Sequence, residues 1–236
     1  MPLHPSFQEC RAYVAAHLHH QTKYHPEQAK RLPAITISRQ TGARAHSIGM
    51  KLQAALREDA PEGSVPWTLF DENLVKKVLE DHQLPADLEK FMPDDAVNEY
   101  EGAVNELLGR HPSLWTLFEK TVSTIVQLSR MGHSIIVGRG GNEITRGYSN
   151  VVSVRLIGSE YKRLRHMIED HDMTESGAKK FIKEEDAARR RFLKQHFGTD
   201  IDDPTRYDMV INTDHFNDDT VVQMLVTAVR GKAKPK

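Results

Sequence analysis

The sequence predicts an α/β fold: a five-stranded parallel sheet with helices on both faces. Three observations carry that prediction. Five short runs rich in β-branched residues alternate with stretches of helical spacing, the pattern that builds parallel sheets through crossover helices. Glycine or acidic residues follow several of these runs directly, as expected where strands end in turns. At 236 residues the chain is near the upper size for one hydrophobic core, so one domain with an insert is expected.

Residues 1–33 read as a polar N-terminal helical arm, with Tyr13, Val14 and Leu18 supplying a modest apolar face. The arm ends at Pro33, which biases its predecessor away from helix. His17, His19, His20 and His25 match no zinc spacing and read as a solvated helix face. The main domain is expected over 34–231. Ala34 to Ser38 is the first strand, followed by a turn and a helix through Ile48, Leu52, Ala55 and Leu56. Trp67 to Phe70 is the second strand, ending at Asp71. The stretch to His133 is too long for one crossover, so a helical insert is expected over 72–133. Its helical stretches, Glu72 to His82 and Asn98 to Met131, belong to an insert whose helices are broken by Pro85, Pro93 and Pro112.

Ser134 to Gly138 is the third strand, Val151 to Ile157 the fourth and Asp208 to Asn212 the fifth. Helices are expected at Glu160 to Asp170, Thr174 to Phe197 and Asp218 to Val229. Residues 232–236 are a short basic tail, expected to be disordered.

Composition narrows the function. With 39% hydrophobic and 28% charged residues, the chain is not a disordered one. Thirty-two basic residues against 33 acidic ones give no global field for nucleic acid or anionic lipid. No reader motif for nucleic acid appears, nor any run long enough to span a membrane. The single cysteine, Cys10, cannot form an intramolecular disulfide, and the N-terminus lacks a signal-peptide pattern. A cytoplasmic protein is expected.

Ligands of open parallel sheets sit at the carboxyl ends of the strands, and four such ends are chemically loaded. Ser38 to Ser47 joins a strand to a helix, where backbone N–H groups and the helix N-terminus favour an anion. The full G-x-x-x-x-G-K-[ST] pattern is absent: Gly42 is the one glycine and no lysine is present. Taken alone, the segment also reads as an ordinary strand–helix turn. Asp71 suits a substrate hydroxyl or base, or a metal-bound water; its plainer role is an N-cap.

The glycine-rich turn Gly138-Arg139-Gly140-Gly141-Asn142 fails the dinucleotide spacing, because Glu143 takes the last glycine's place. Arg163 also stands where a ribose-binding acid is expected. Arg139 could instead hold an anionic substrate or form a surface ion pair. Arg163 falls in the first turn of its helix, where a cation opposes the dipole and calls for an anionic neighbour. Asp186 can pair with Arg189 or Arg190 along a helix. Three consecutive arginines, Arg189, Arg190 and Arg191, exceed what that pairing uses. Phosphoryl transfer supplies a reason for cations where charge accumulates.

These residues together resemble the cytidylate kinase-like family, within the nucleoside-monophosphate-kinase group of P-loop proteins. The resemblance runs from about Ala34 to Val229. It rests on Ile35-Thr36-Ile37-Ser38-Arg39 before Gly42, on Phe70-Asp71, and on Ile135 through Asn142. It continues in Val154-Arg155-Leu156 with Arg163, in Asp186 through Gly198, and in Tyr207 through Thr213. The family implies a substrate-binding insert after the second strand and an arginine-bearing lid, here 174–199.

By resemblance the phosphates of ATP would lie against Arg39, Gly42, Ala43, Arg44, Ala45, His46 and Ser47, with Ser47 on Mg²⁺. Arg163 and Arg189 to Arg191 would neutralise developing charge, while Asp71 and Arg139 would orient the acceptor. The usual lysine position is Ala45, and the family's Gly-Ser-Gly-Gly is here Gly42-Ala43-Arg44-Ala45. Arg39, Arg44 or His46 would have to replace that charge. The expected activity is ATP- and Mg²⁺-dependent phosphoryl transfer to a nucleoside monophosphate or similar small phosphorylated acceptor. The alternative is a catalytically eroded nucleotide sensor or interaction protein on the same fold. The Asn98 to Met131 stretch could also pair two copies into a homodimer.

Overall fold

Five successive residues of the first strand, Ala34 to Ser38, are buried. A strand hidden on both faces needs cover on both faces. In the computed structural model, which describes residues 32–60, 64–71 and 114–233, that strand is the centre of the sheet. The strands are β1 (Ala34–Arg39), β2 (Thr68–Phe70), β3 (Ser134–Val137), β4 (Val151–Ile157) and β5 (Met209–Asn212). Their order is β2-β3-β1-β4-β5 and every neighbouring pair is parallel. Ile35 pairs with Ile135 on one side and Val152 on the other. All five expected strands are present, and the α/β class with its parallel sheet stands.

The chain leaves β1 toward the β2 edge and later crosses from β3 to β4 on the other side. The crevice at the carboxyl end of β1 is therefore the topological switch point, where such sheets hold ligands.

The helices are α1 (Ala45–Glu58), α2 (Leu114–Met131), α3 (Gly141–Ile144), α4 (Glu160–His171), α5 (Glu175–Phe197) and α6 (Asp218–Ala233). Ile48, Leu52 and Leu56 recur every four residues on α1, so they form one buried stripe. That stripe meets the sheet and the α6 residues Val221, Val222, Leu225 and Val229 in the main core. Each such side chain contributes roughly 1.5–3 kcal/mol on burial. Helices α4 and α5 have a small core of their own, in which Met167, Ala178 and Ile182 pack with Leu164, Ile168 and Met173. Ser159 caps α4 by accepting from the Lys162 N–H, and Thr174 caps α5 by accepting from Gly177. Gly198 closes α5 in the left-handed region.

Some boundaries differ from expectation. Helix α6 runs through Ala233, and Lys232 Nζ lies 3.4 Å from Asp208, so the expected tail loses its first two residues to the helix. Trp67 precedes β2 rather than opening it, stacked 4.8 Å from the His133 ring. The short α3 was not expected. The N-terminal arm with its histidines, the Glu72 to His82 helix, the Asn98 end of the next one and the last three residues lie outside the described residues. Among the described residues no helix is long and apolar enough to cross a membrane.

Candidate functional site

The turn between β1 and α1 holds two residues in the left-handed region, Gly42 at φ 80° and Arg44 at φ 60°. Gly42 has two reasons to be glycine. Its φ disfavours a side chain, and a Cβ there would stand 2.6 Å from the carbonyl oxygen of Arg163. Arg44 has no such freedom, and the left-handed region costs an L-residue roughly 1–2 kcal/mol. Its guanidinium compensates by fastening the turn to the segment between β5 and α6. It reaches Asp218 Oδ1 at 2.7 Å and the carbonyls of Thr213 and Phe216, each at 2.6 Å. The bend of a glycine-rich turn is thus kept by one glycine and one anchored arginine. Helix α1 begins at Ala45, so its first N–H groups and positive dipole end face the turn.

An internal anion already occupies part of this turn. Asp186 of α5 accepts from the Thr41 backbone N–H at 2.8 Å and from the Thr41 hydroxyl at 2.9 Å. Its other oxygen accepts from Arg163 Nη1 at 2.7 Å, and the same Nη1 donates to the Thr41 carbonyl at 2.9 Å. Arg189 Nη1 donates to the Thr41 hydroxyl oxygen at 2.6 Å, and its Nη2 to Glu185 at 2.9 Å. The anionic neighbour expected for Arg163 is Asp186.

The cations standing at the turn's Thr41 therefore come from α4 and α5. The expected substitutes for the missing lysine are otherwise engaged. Arg44 pairs with Asp218, and His46 Nδ1 lies 3.0 Å from Asp71 Oδ2. Arg39 lies over Gly138, at the end of the neighbouring strand. Arg190 turns to Asp202 at 3.0 Å, and Arg191 is exposed. Three consecutive helical residues fan across a wide arc, so one of them, Arg189, reaches the turn.

Asp202 holds the end of α5 to the sheet, because it also accepts from the buried Arg155 at 2.7 Å. Partial burial raises the Asp202 carboxyl, but the bonds from Arg190 and Arg155 outweigh this and hold it below the usual range. Arg155 reaches on to Ser38 Oγ at 3.0 Å.

The third loaded strand end folds unusually. Gly138, Arg139 and Gly140 lie consecutively in the left-handed region, with φ of 80°, 55° and 67°. Such backbone in a non-glycine residue is typical of functional sites. Here it places Arg139 beside Arg39 and Arg189. These three arginines, with Ser38, Asn142 and Phe192, line one cavity of about 20 Å³. Three guanidinium groups around one cavity suit an anion there, with Arg189 already shared with Glu185 and Asp186. Phe197 and Phe192 cover Gly140 and join Phe118 of α2 in an aromatic cluster.

A larger cleft, of about 320 Å³, opens from Gly42 between α4 and the segment after β5. Arg44, Lys162, His166, Asp214 and Phe216 are among its walls.

A model of the cytidylate kinase-like family matches residues 34–215. The chain belongs to the cytidylate kinase-like family. The matched span runs from β1 past β5 and so takes in the turn, the arginine cavity and α5. A solved structure shows the same fold. An uncharacterized protein from Eubacterium ventriosum is similar at TM-score 0.60 and 17% identity, over 84% of this chain and 98% of its own. A shikimate kinase from Acinetobacter baumannii, in complex with shikimate, aligns at TM-score 0.45 and 13% identity, over 86% of this chain and 95% of its own. One from Bacteroides thetaiotaomicron aligns at TM-score 0.46 and 14% identity, over 84% and 98%. No curated protein matches the sequence. The family is a kinase-like one, and the likeness to the Eubacterium ventriosum protein shows the fold alone.

The groups that this family implies fit unequally. An anion fits the turn, since the Asp186 carboxylate already takes hydrogen bonds there. A divalent cation does not fit Ser47. Its hydroxyl donates to Asp218 Oδ2 at 2.6 Å, and the same carboxylate carries Arg44 and, at 3.7 Å, Lys51. Two cations at one carboxylate disfavour a third. Sequence reasoning overlooked Asp218, whose signal is the acidic pair Asp218-Asp219 opening α6. It also overlooked His166 and Phe216, which no motif marks.

Proposed function

We propose that this protein transfers the γ-phosphoryl group of a nucleoside triphosphate, taken as its Mg²⁺ complex, to a nucleoside monophosphate or similar small anionic acceptor. One observation carries the reading: Arg39, Arg139 and Arg189 line a single cavity next to the phosphate turn. A donor lying against Gly42 to Ser47 would have its reacting end toward Thr41, where Arg163 and Arg189 converge. Arg189 borders both places and would neutralise charge on the group in transit.

An acceptor phosphate is largely dianionic near neutrality, so it needs no base to remove a proton. One of its oxygens attacks the γ-phosphorus while the bond to the β–γ bridging oxygen breaks, and the electron pair leaves with the diphosphate. Asp71, paired to His46, lies at the end of β2 and would orient the acceptor. The magnesium ion enters with the nucleotide as part of the substrate. No step depends on Ser47 as its ligand.

A 20 Å³ cavity has room for about one water molecule, not a phosphate. Its roof includes Phe192 and Leu193 of α5. Acceptor entry therefore requires α5 to lift, consistent with the separate small core that α5 shares with α4. Asp186 and Arg189 would both leave Thr41 in that motion, and Arg189 would return against the substrate phosphate as α5 closes over it.

The second reading, a nucleotide sensor without turnover, draws on the missing lysine and on the Asp186 contact that already fills part of the turn. Calorimetry with ATP·Mg²⁺ and a coupled assay over CMP, UMP, dCMP and AMP separates the two. Turnover that disappears in Arg189→Ala supports the kinase. Tight ATP binding with no turnover on any acceptor supports the sensor.

A further inference from the structure

Arg155 is the charged residue of β4, and it is 4% exposed. A buried guanidinium is costly unless its N–H groups find partners. Asp202 takes Nη2, and Nη1 goes to Ser38. Ser38 and Arg155 are register partners on neighbouring parallel strands, so their side chains rise from the same face of the sheet. That face carries the arginine cavity. Ser38, 9% exposed, lines it from β1, and Thr36, two residues earlier, lies against Gly141 at the start of α3.

The hydrogen bonding around Ser38 settles which way its hydroxyl works. Arg155 Nη1 donates to Ser38 Oγ at 3.0 Å, and a guanidinium can only donate, so the hydroxyl oxygen is the acceptor there. Among the described residues the other polar contact of Oγ is the Tyr207 hydroxyl, at 3.5 Å, too long for a sound O–H···O bond. Tyr207 gives its own proton to the Ile201 carbonyl at 2.9 Å. Burial is the chief cause raising the Tyr207 phenol above its usual range, so that proton stays in place near pH 7. The cavity is then the remaining direction for the Ser38 proton. Beside it stand Arg39, Arg139 and Arg189, whose guanidinium groups also only donate. A wall made of donors calls for a ligand that only accepts.

We infer that Ser38 is a substrate-binding residue of the acceptor site, donating its hydroxyl proton to an oxygen of the acceptor phosphate, and that Arg155 is the positioning residue that keeps the hydroxyl turned that way. A bond from a hydroxyl to a charged oxygen is of the short, strong kind. Ser38 belongs to the central strand of the sheet, so it stays in place when α5 lifts, whereas Arg189 travels with the helix. The hydroxyl is thus a fixed point that the incoming phosphate meets before α5 closes. The inference rests on the proposed acceptor site and adds to it a residue that no phosphate-binding pattern marks.

Transfer from ATP·Mg²⁺ to CMP, UMP, dCMP and AMP by the full chain, with calorimetric titration of the same monophosphates, tests the inference. For a monophosphate that the wild type uses, Ser38→Ala raises Kd and KM about tenfold, the span of one hydrogen bond to a charged group, and changes kcat less. Ser38→Cys keeps the shape with a poor donor and loses as much. Arg155→Gln weakens the same ligand in the wild-type background and has no further effect in the Ser38→Ala background, since a residue acting through another adds nothing once that one is gone. The Tm of each variant separates these losses from unfolding. An unchanged KM in Ser38→Ala overturns the role of Ser38, and so does wild-type affinity in Ser38→Cys. Additive losses in the double variant overturn the positioning role of Arg155. If the wild type neither binds nor phosphorylates any of the four, the proposed acceptor site itself fails, and the inference with it.

Discussion

Asp186, on the long helix α5, places one carboxylate oxygen 2.8 Å from the backbone nitrogen of Thr41 in the turn between β1 and α1. The same group takes Arg163 at 2.7 Å and stands 3.3 Å from Arg189. It is an internal counter-ion for the two arginines that converge on the turn.

Replacing Asp186 by Asn keeps the shape and removes the charge. Loss of hydrogen bonds to a charged partner costs about 1.5–3 kcal/mol, here with two arginines left closer to uncompensated. Thermal denaturation of Asp186→Asn should show a lower Tm in dilute buffer. Millimolar pyrophosphate should raise the variant's Tm more than the wild type's, because the added anion no longer competes with the aspartate. Equal shifts in the two proteins would remove Asp186 from the role of counter-ion.

The Arg44 contacts predict an order of stability. Arg44→Ala loses the bonds to Asp218, Thr213 and Phe216 and retains the left-handed backbone. Arg44→Gly loses the same bonds but relieves that strain, regaining about 1 kcal/mol. Urea denaturation should rank wild type above Arg44→Gly and Arg44→Ala last. A glycine variant less stable than the alanine one would contradict the assigned backbone.

Gly42→Ala should be among the most damaging small changes. The new methyl meets the Arg163 carbonyl at 2.6 Å in a conformation that already disfavours it. A loss of about 2 kcal/mol or more is expected, read from the urea midpoint, together with weaker tripolyphosphate binding. A neutral result would mean that α4 does not approach the turn this closely.

Much of the fold was legible in the sequence, for a physical reason. The β-branched runs Ile35 to Ile37 and Ile135 to Val137 are buried strands, and the spacing of Ile48, Leu52 and Leu56 marks a helix face. The place of the turn between β1 and α1 followed from that alternation. Its wiring did not. Arg39, Arg44 and His46 lie in the turn by sequence, yet the residues beside them, Gly138, Asp218 and Asp71, come from three other parts of the chain. Arg189, Arg190 and Arg191 are adjacent in sequence, but helix geometry sends them to Thr41, Asp202 and solvent. Partner choice of this kind depends on the tertiary arrangement, which periodicity does not encode.

The Asp202 latch should be acid-sensitive. Its carboxyl is held below the unfolded value near 3.9. A carboxylate with a depressed folded pKa stabilises fully above the unfolded value and loses that contribution as pH falls through the folded one. Urea midpoints of wild type and Asp202→Asn, compared from pH 6 downward, should differ by a constant amount above about pH 4. Below that the gap should shrink. A gap independent of pH would show that Asp202 contributes nothing through its charge.

In the proposed reaction Arg39, Arg139 and Arg189 receive the anionic end of the acceptor. Phosphoryl transfer from ATP·Mg²⁺ to CMP and to cytidine, measured side by side and repeated for the UMP–uridine, dCMP–deoxycytidine and AMP–adenosine pairs, tests it most directly. Transfer to at least one monophosphate and none to its nucleoside is expected, with a loss of about a hundredfold or more in kcat/KM in Arg139→Ala, as when a charged partner of the substrate is removed. A nucleoside phosphorylated as well as its monophosphate, with Arg139→Ala unimpaired, would contradict it.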